Sequence, residues 1–114
     1  MAISSTIIAL ANYDVPAAQA TAYTVPSPTV RFRIDQATCT NYTATARTLT
    51  VYILQNGVSV ADLQKDIVAL NIPANSTVSL YEIVGMGLDT GGIINAFASA
   101  ASALSLTVTG TNIT

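Results

Sequence analysis

Apolar residues spaced two apart constrain this chain more than any other feature. Val30, Phe32 and Ile34 alternate with Arg31, Arg33 and Asp35, and Leu49, Val51 and Ile53 alternate with Thr50 and Tyr52. Leu104, Leu106 and Val108 alternate in the same way with Ser105, Thr107 and Thr109. Successive side chains of a strand point to opposite faces, so each run buries one face and turns the other toward solvent or a partner. A spacing of two is far commoner here than the helical 3.6, and β-branched residues fill the runs. Turn and breaker signals cut between them: Val15-Pro16, Val25-Pro26-Ser27-Pro28, Asn56-Gly57, Ile72-Pro73-Ala74-Asn75, Gly85-Met86-Gly87 and Asp89-Thr90-Gly91-Gly92. The pattern predicts about eight short strands, over residues 3–11, 20–25, 29–39, 47–55, 66–72, 77–84, 93–98 and 102–113, with one helical turn over 60–65. The predicted fold is all-β, a two-sheet antiparallel β-sandwich with jelly-roll-like topology. Its core is predicted from Val30, Phe32, Ile34, Leu49, Val51, Ile53, Leu80, Leu104, Leu106 and Val108.

Composition narrows the function classes. At 114 residues the chain makes a single domain, residues 1–114, and only 9% of it is charged, against roughly 25% in ordinary globular domains. Sixteen Thr and nine Ser supply the polarity instead. Four cations and a net charge of −2 cannot build the positive field that follows a phosphate backbone, so no nucleic-acid partner is expected. A mean hydropathy of +0.52 with so little net charge is the opposite of a disordered composition. The first ten residues carry no basic segment and no small-residue cleavage site, so they are not read as a signal peptide. The best membrane candidate, 93–108, is interrupted by Asn95, Ser99, Ser102, Ser105 and Thr107 and falls short of the ~20 apolar residues of a spanning helix, so no membrane partner is expected. Cys39 is the only cysteine, which removes the internal disulfide of small secreted folds and fits assembly in a cytoplasm.

The inventory of reactive groups is thin. Histidine is absent, so Ser-His and Cys-His arrangements cannot be built from this chain alone. A pair of carboxylates can run hydrolysis in principle, but of the six, Asp14, Asp35, Asp62, Asp66, Glu82 and Asp89, nearly all fall beside turns or on polar strand phases, where a solvated carboxylate is the ordinary expectation. Asp89-Thr90-Gly91-Gly92 lacks the alternating oxygen ligands and closing Glu of a calcium loop. Gly85-Met86-Gly87 lacks the Gly-Lys-Ser/Thr of a phosphate loop and reads as a bend. Three Asn-x-Ser/Thr triplets, at Asn41, Asn75 and Asn112, carry no meaning without a secretory route. Cys39, with no cation nearby in sequence, reads as a buried small hydrophobe. The residues predict no catalytic, cofactor-binding or metal-binding site and a non-enzymatic protein. The Ala-rich stretch 96–103 reads as a tight hairpin between the last two strands. Residues 1–11 read as an N-terminal interface arm or an edge strand, with Ile3, Ile7, Ile8 and Leu10 as the interface, because so apolar a terminus is poorly placed in water.

The runs Ala20-Thr21-Ala22-Tyr23-Thr24-Val25-Pro26, Leu49-Thr50-Val51-Tyr52 and Ile72-Pro73-Ala74-Asn75-Ser76, with the closing segment from Ala96 to Ile113-Thr114, resemble small β-sandwich virion proteins of tailed bacteriophages. The resemblance implies a structural part of a phage particle, a capsid decoration or cement protein that stabilises the head by bridging major capsid protein subunits. A tail, neck or fibre-attachment protein is the alternative, and a pilin- or adhesin-like subunit a third. It also implies a homo-oligomer, a dimer or trimer, located on the capsid surface and made in the host cytoplasm. The Ala74-Asn75 turn and the long excursion from Asn56 to Lys65 depart from the family pattern.

Overall fold

The computed structural model describes residues 4–26, 31–56 and 68–113. It contains β1 (Ser4–Asp14), β2 (Ala20–Thr24), β3 (Arg31–Asn41), β4 (Arg47–Leu54), β5 (Val68–Ile72), β6 (Thr77–Ser79), β7 (Gly87–Asp89), β8 (Ile93–Ala98) and β9 (Leu104–Ile113). Sheet A runs β1-β9-β3-β6, with β7 also paired to β3, and sheet B runs β2-β8-β4-β5. All pairs are antiparallel. Because β6 and β7 lie along the same edge of β3, they act as one interrupted strand, and the sandwich has jelly-roll connectivity. The chain crosses between sheets at nearly every connection, and β4 with β5 is the one consecutive pair that hydrogen-bonds among the described strands.

The alternation read from the sequence points into the space between the sheets. Phe32, Ile34, Leu49, Val51, Leu80, Leu104, Leu106 and Val108 are fully buried and Ile53 nearly so; Val30 lies outside the described residues. Burying side chains of this size stabilises by roughly 1.5–3 kcal/mol each. The Tyr23 ring packs on Phe32 with centroids 5.4 Å apart. Phe32 in turn lies over Gly110 of the neighbouring strand, where a Cβ would collide with the Phe32 ring and the Arg33 carbonyl.

Two side-chain amides tie the sheets together at opposite ends. At the end of β3, the buried Asn41 Nδ2 donates to the Thr45 carbonyl at 2.9 Å and to the Ile72 carbonyl of sheet B at 3.0 Å. Its Oδ1 accepts from the Thr43 amide at 2.9 Å and the Thr43 hydroxyl at 2.7 Å. Past the end of β4, Gln55 Nε2 donates to the Gly87 carbonyl at 2.7 Å, and Gln55 Oε1 accepts from the Asp89 amide at 3.1 Å. One side chain thus does for β7 what a neighbouring strand backbone would do.

The structure corrects four expectations. Residues 77–84 are not one strand: β6 stops at Ser79, and Leu80–Met86 turns through the successive bonds Ile83 N to Leu80 O, Val84 N to Tyr81 O and Met86 N to Ile83 O. The turn is set by burying Leu80 and Ile83, three apart, and by a positive φ of 91° at Gly85. Gly87 is not part of a bend but opens β7, which the glycine punctuation had concealed. The stretch 96–103 is not a hairpin, because β8 belongs to sheet B and β9 to sheet A; it is a corner between sheets, with Ser102 at a φ of 54°. Residues 4–11 are not a free arm but most of β1, paired to β9 from Ser4↔Ile113 to Asp14↔Ser105, which is the edge-strand alternative. The helical turn expected over 60–65 lies outside the described residues.

Candidate functional site

The outer face of sheet A is where the chain gathers exposed chemistry. Thr111, Thr109, Thr107 and Ser105 alternate outward along β9, opposite Arg33, Gln36, Thr38 and Thr40 of β3. A bulge between Ile34 and Gln36 turns both Asp35 and Gln36 to this face, because the extra residue breaks the two-residue phase. Asp35 Oδ2 accepts from the Thr111 hydroxyl at 2.6 Å, and Oδ1 accepts from Arg33 Nε at 2.8 Å. The Thr111 bond, then the Arg33 bond and charge, hold the Asp35 carboxyl below the usual carboxylate range.

Beside Gln36 the face dips into an open depression of about 410 Å³. Its lining is mixed: Thr6 of β1, Thr109 of β9 and Asp35 and Gln36 of β3 bring polar groups, and Ala37 of β3 with Tyr81 and Val84 of the turn after β6 bring apolar surface. Tyr81 is 79% exposed and Val84 41%, yet Leu80 and Ile83 in the same turn are fully buried. The turn is therefore pinned to the core while it presents an aromatic ring to solvent. Sequence reasoning missed Tyr81 and Val84 because it continued the strand to residue 84; the i, i+3 spacing of Leu80 and Ile83 before Gly85 was the available signal.

Of the residues expected to form an interface, Ile8 is 64% exposed and lies on this same face, opposite Thr109. Leu10 is 7% exposed and packs in the chain's own core. Its inward phase follows from register shifts on either side of it, between Ile8 and Leu10 and between Leu10 and Tyr13. Ile7 is partly buried against that core, and Ile3 lies outside the described residues. Among the described residues no strand flanks the other edge of β1.

Elsewhere the titratable groups are dispersed. Asp14 accepts from the Tyr42 hydroxyl at 2.9 Å and Asp89 from the Asn56 amide at 3.1 Å; Asp62 and Asp66 lie outside the described residues. No three His, Cys, Asp or Glu side chains converge on a metal-sized space among the described residues. Cys39 is fully buried, and burial pushes its thiol up to about 12, which leaves it protonated and unreactive. Of the three Asn-x-Ser/Thr triplets, Asn41 is consumed by its hydrogen bonds, whereas Asn75 is exposed on a turn with φ of 54°.

No protein-family model matches the chain, and no curated protein does. Solved structures do. The chain is similar to one from Bacillus endospore appendages, described as disulfide-linked pili, with a TM-score of 0.55 and 10% identity over 99% of this chain and 88% of that one. It is similar to a chain of infectious bursal disease virus, Gx strain, with a TM-score of 0.55 and 13% identity over 99% of this chain. In that case the present chain spans about a third of its neighbour, 33%. At such identities the likeness is one of fold: a jelly-roll-like sandwich that takes in the whole of this chain.

Proposed function

We propose that this protein is a non-enzymatic structural subunit of a virion, a decoration or cement protein that binds a bacteriophage capsid by bridging major capsid protein subunits, as a dimer or trimer. The observation that carries this reading is the β1 edge. It is eleven residues long, lacks any charge or proline from Ser4 to Tyr13, and presents Ile8 at 64% exposure. Long edge strands are ordinarily guarded by Lys, Pro or a covering element, since their free N–H and C=O groups template pairing. Two bulges interrupt this edge, but with no charge or proline on it and no strand across it among the described residues it suits a chain whose edge is covered in an assembly. The scarcity of charge agrees, because charges buried between subunits are expensive to desolvate.

The likeness to the appendage chain, which extends over 88% of that chain, favours a second reading as a filament subunit. Cys39 weighs against a disulfide-linked version, because it is the one cysteine of the sequence and is buried.

The test is co-sedimentation with assembled shells that lack the protein. Wild type should pellet with shells and not with unassembled capsid subunits, and should stay bound in high salt, where screening removes contacts held by charge. Ile8→Lys, which places a charge on the edge strand, should remain in the supernatant. Wild type that fails to pellet, or Ile8→Lys that binds unchanged, contradicts the reading; filaments of the purified chain in negative stain favour the second one.

A further inference from the structure

The depression beside Tyr81 has a composition that the assembly reading does not use, and we propose that it is a binding site for a neutral saccharide. Tyr81 and Val84 line it together with Gln36, Asp35 and two threonines. A sugar ring has the complementary make-up. Its C–H face packs on an aromatic ring, and its neighbouring hydroxyls donate to and accept from planar groups such as Gln36 and Asp35.

Charge selects within that class. Asp35 remains an anion, but Arg33, beside the depression, pairs with it at 2.8 Å, so the carboxylate is balanced and does not act as a free cation site. Among the described lining residues there is no Lys or Arg, and Arg33 is already engaged by Asp35, so a phosphate or sulfate ester would find no free counter-charge there. A wholly apolar ligand would take water from the amide and both hydroxyls and offer them no hydrogen bond in exchange.

The site is also held in place before any ligand arrives. Leu80 and Ile83 anchor the turn that carries Tyr81 and Val84, and the turn is bonded to β3 at both ends, Leu80 N to Ala37 O at 2.9 Å and Gly85 N to Ile34 O at 2.7 Å. Gln36 faces the site only because of the bulge beside it. An anchored backbone under Tyr81 and Val84 reduces the ordering that binding must impose.

The experiment is a nitrogen-15 NMR titration of the whole chain with D-glucose, D-galactose, N-acetyl-D-glucosamine and cellobiose, with glycerol as the control polyol. At least one sugar should give saturable shifts centred on Thr6, Gln36, Tyr81, Val84 and Thr109, and glycerol should not. Tyr81→Ala and Gln36→Ala, both at exposed positions, should keep the wild-type spectrum elsewhere and weaken binding about tenfold or more. No saturable shift with any sugar, shifts centred on another surface, the same shifts with glycerol, or unchanged binding by Tyr81→Ala would each overturn the proposal. The shell assay with Ile8→Lys is separate, so either proposal can fail without the other.

Discussion

Replacing Asn41 by Leu removes the tie between the end of β3 and the end of β5 while keeping the side chain close in size. Four hydrogen bonds disappear, two donated to carbonyls and two accepted from Thr43. They do not count equally. The Thr43 hydroxyl proton, released from Asn41, can go to the Thr45 carbonyl at 3.0 Å, and the Thr43 amide is only half-buried and can turn to water. The Ile72 carbonyl loses a partner in the interior, and the loop 42–46 loses the amide that shapes it. With a net worth of about 0.5–1.5 kcal/mol per bond and more where a buried group is orphaned, the expected loss is about 3 kcal/mol. Unfolding entropy near 2.1 cal/mol/K per residue converts that into a fall in Tm of about 12 °C for a chain of this length. Asn41→Asp sharpens the test, because a buried carboxylate would face the Thr45 and Ile72 carbonyls with no proton to offer. Its folded pKa would be raised, so its stability relative to wild type should be best at low pH and should fall as pH rises past about 4. Thermal melts by circular dichroism at pH 4 and pH 7 measure both effects. A fall of less than about 4 °C for Asn41→Leu, or an Asn41→Asp protein unaffected by pH, would refute the claim that this amide joins the sheets.

Three further outcomes follow from the packing and the titrating groups. Gly110→Ala should destabilise by about 2 kcal/mol or more, because the Phe32 ring and the Arg33 carbonyl occupy the space of the new methyl; a denaturant midpoint equal to wild type would contradict that contact. Cys39 should react with a thiol reagent only in denaturant, and stability should decline as pH rises above the ordinary thiol pKa of about 8.5, since the unfolded chain loses a proton that the folded chain keeps up to about 12; Cys39→Ala should lack that alkaline decline. The Asp35 contribution has the opposite sign: its pKa is lowered in the fold, so the contribution is present above about pH 4 and fades as pH falls. Asp35→Asn should flatten the acid limb of a stability-against-pH curve, and a limb identical to wild type would argue against the Thr111 and Arg33 bonds.

Alternation was legible because burial and local pattern agree along β3, β4 and β9. Phe32, Leu49 and Leu106 each sit where a period of two puts them. The fold class follows from that agreement, but the order of strands does not, since pairings such as β1 with β9 join residues almost the whole chain apart. The corner at 96–103 and a hairpin have the same local chemistry, small residues and a break, and only the partners of β8 and β9 tell them apart. β7 escaped notice because three residues between glycines carry no periodicity of their own; their strand character comes from Arg31–Arg33 on one side and the Gln55 amide on the other. The candidate site was the least legible part. It depends on a bulge that moves Gln36 out of phase and on a turn that exposes Tyr81 by burying its neighbours, and both are products of tertiary pairing. Ile8 and Leu10 carry the same apolar character in the sequence, and only the register shifts of β1 tell the exposed one from the buried one, which leave no mark on composition.

The most direct test of the structural role is cryo-electron microscopy of intact particles that contain the protein. The account predicts a jelly-roll density at repeated positions on the shell, with the edge of β1 and Ile8 against a neighbouring subunit. Density confined to the tail or the portal vertex, or a subunit whose β1 edge faces solvent, would contradict it.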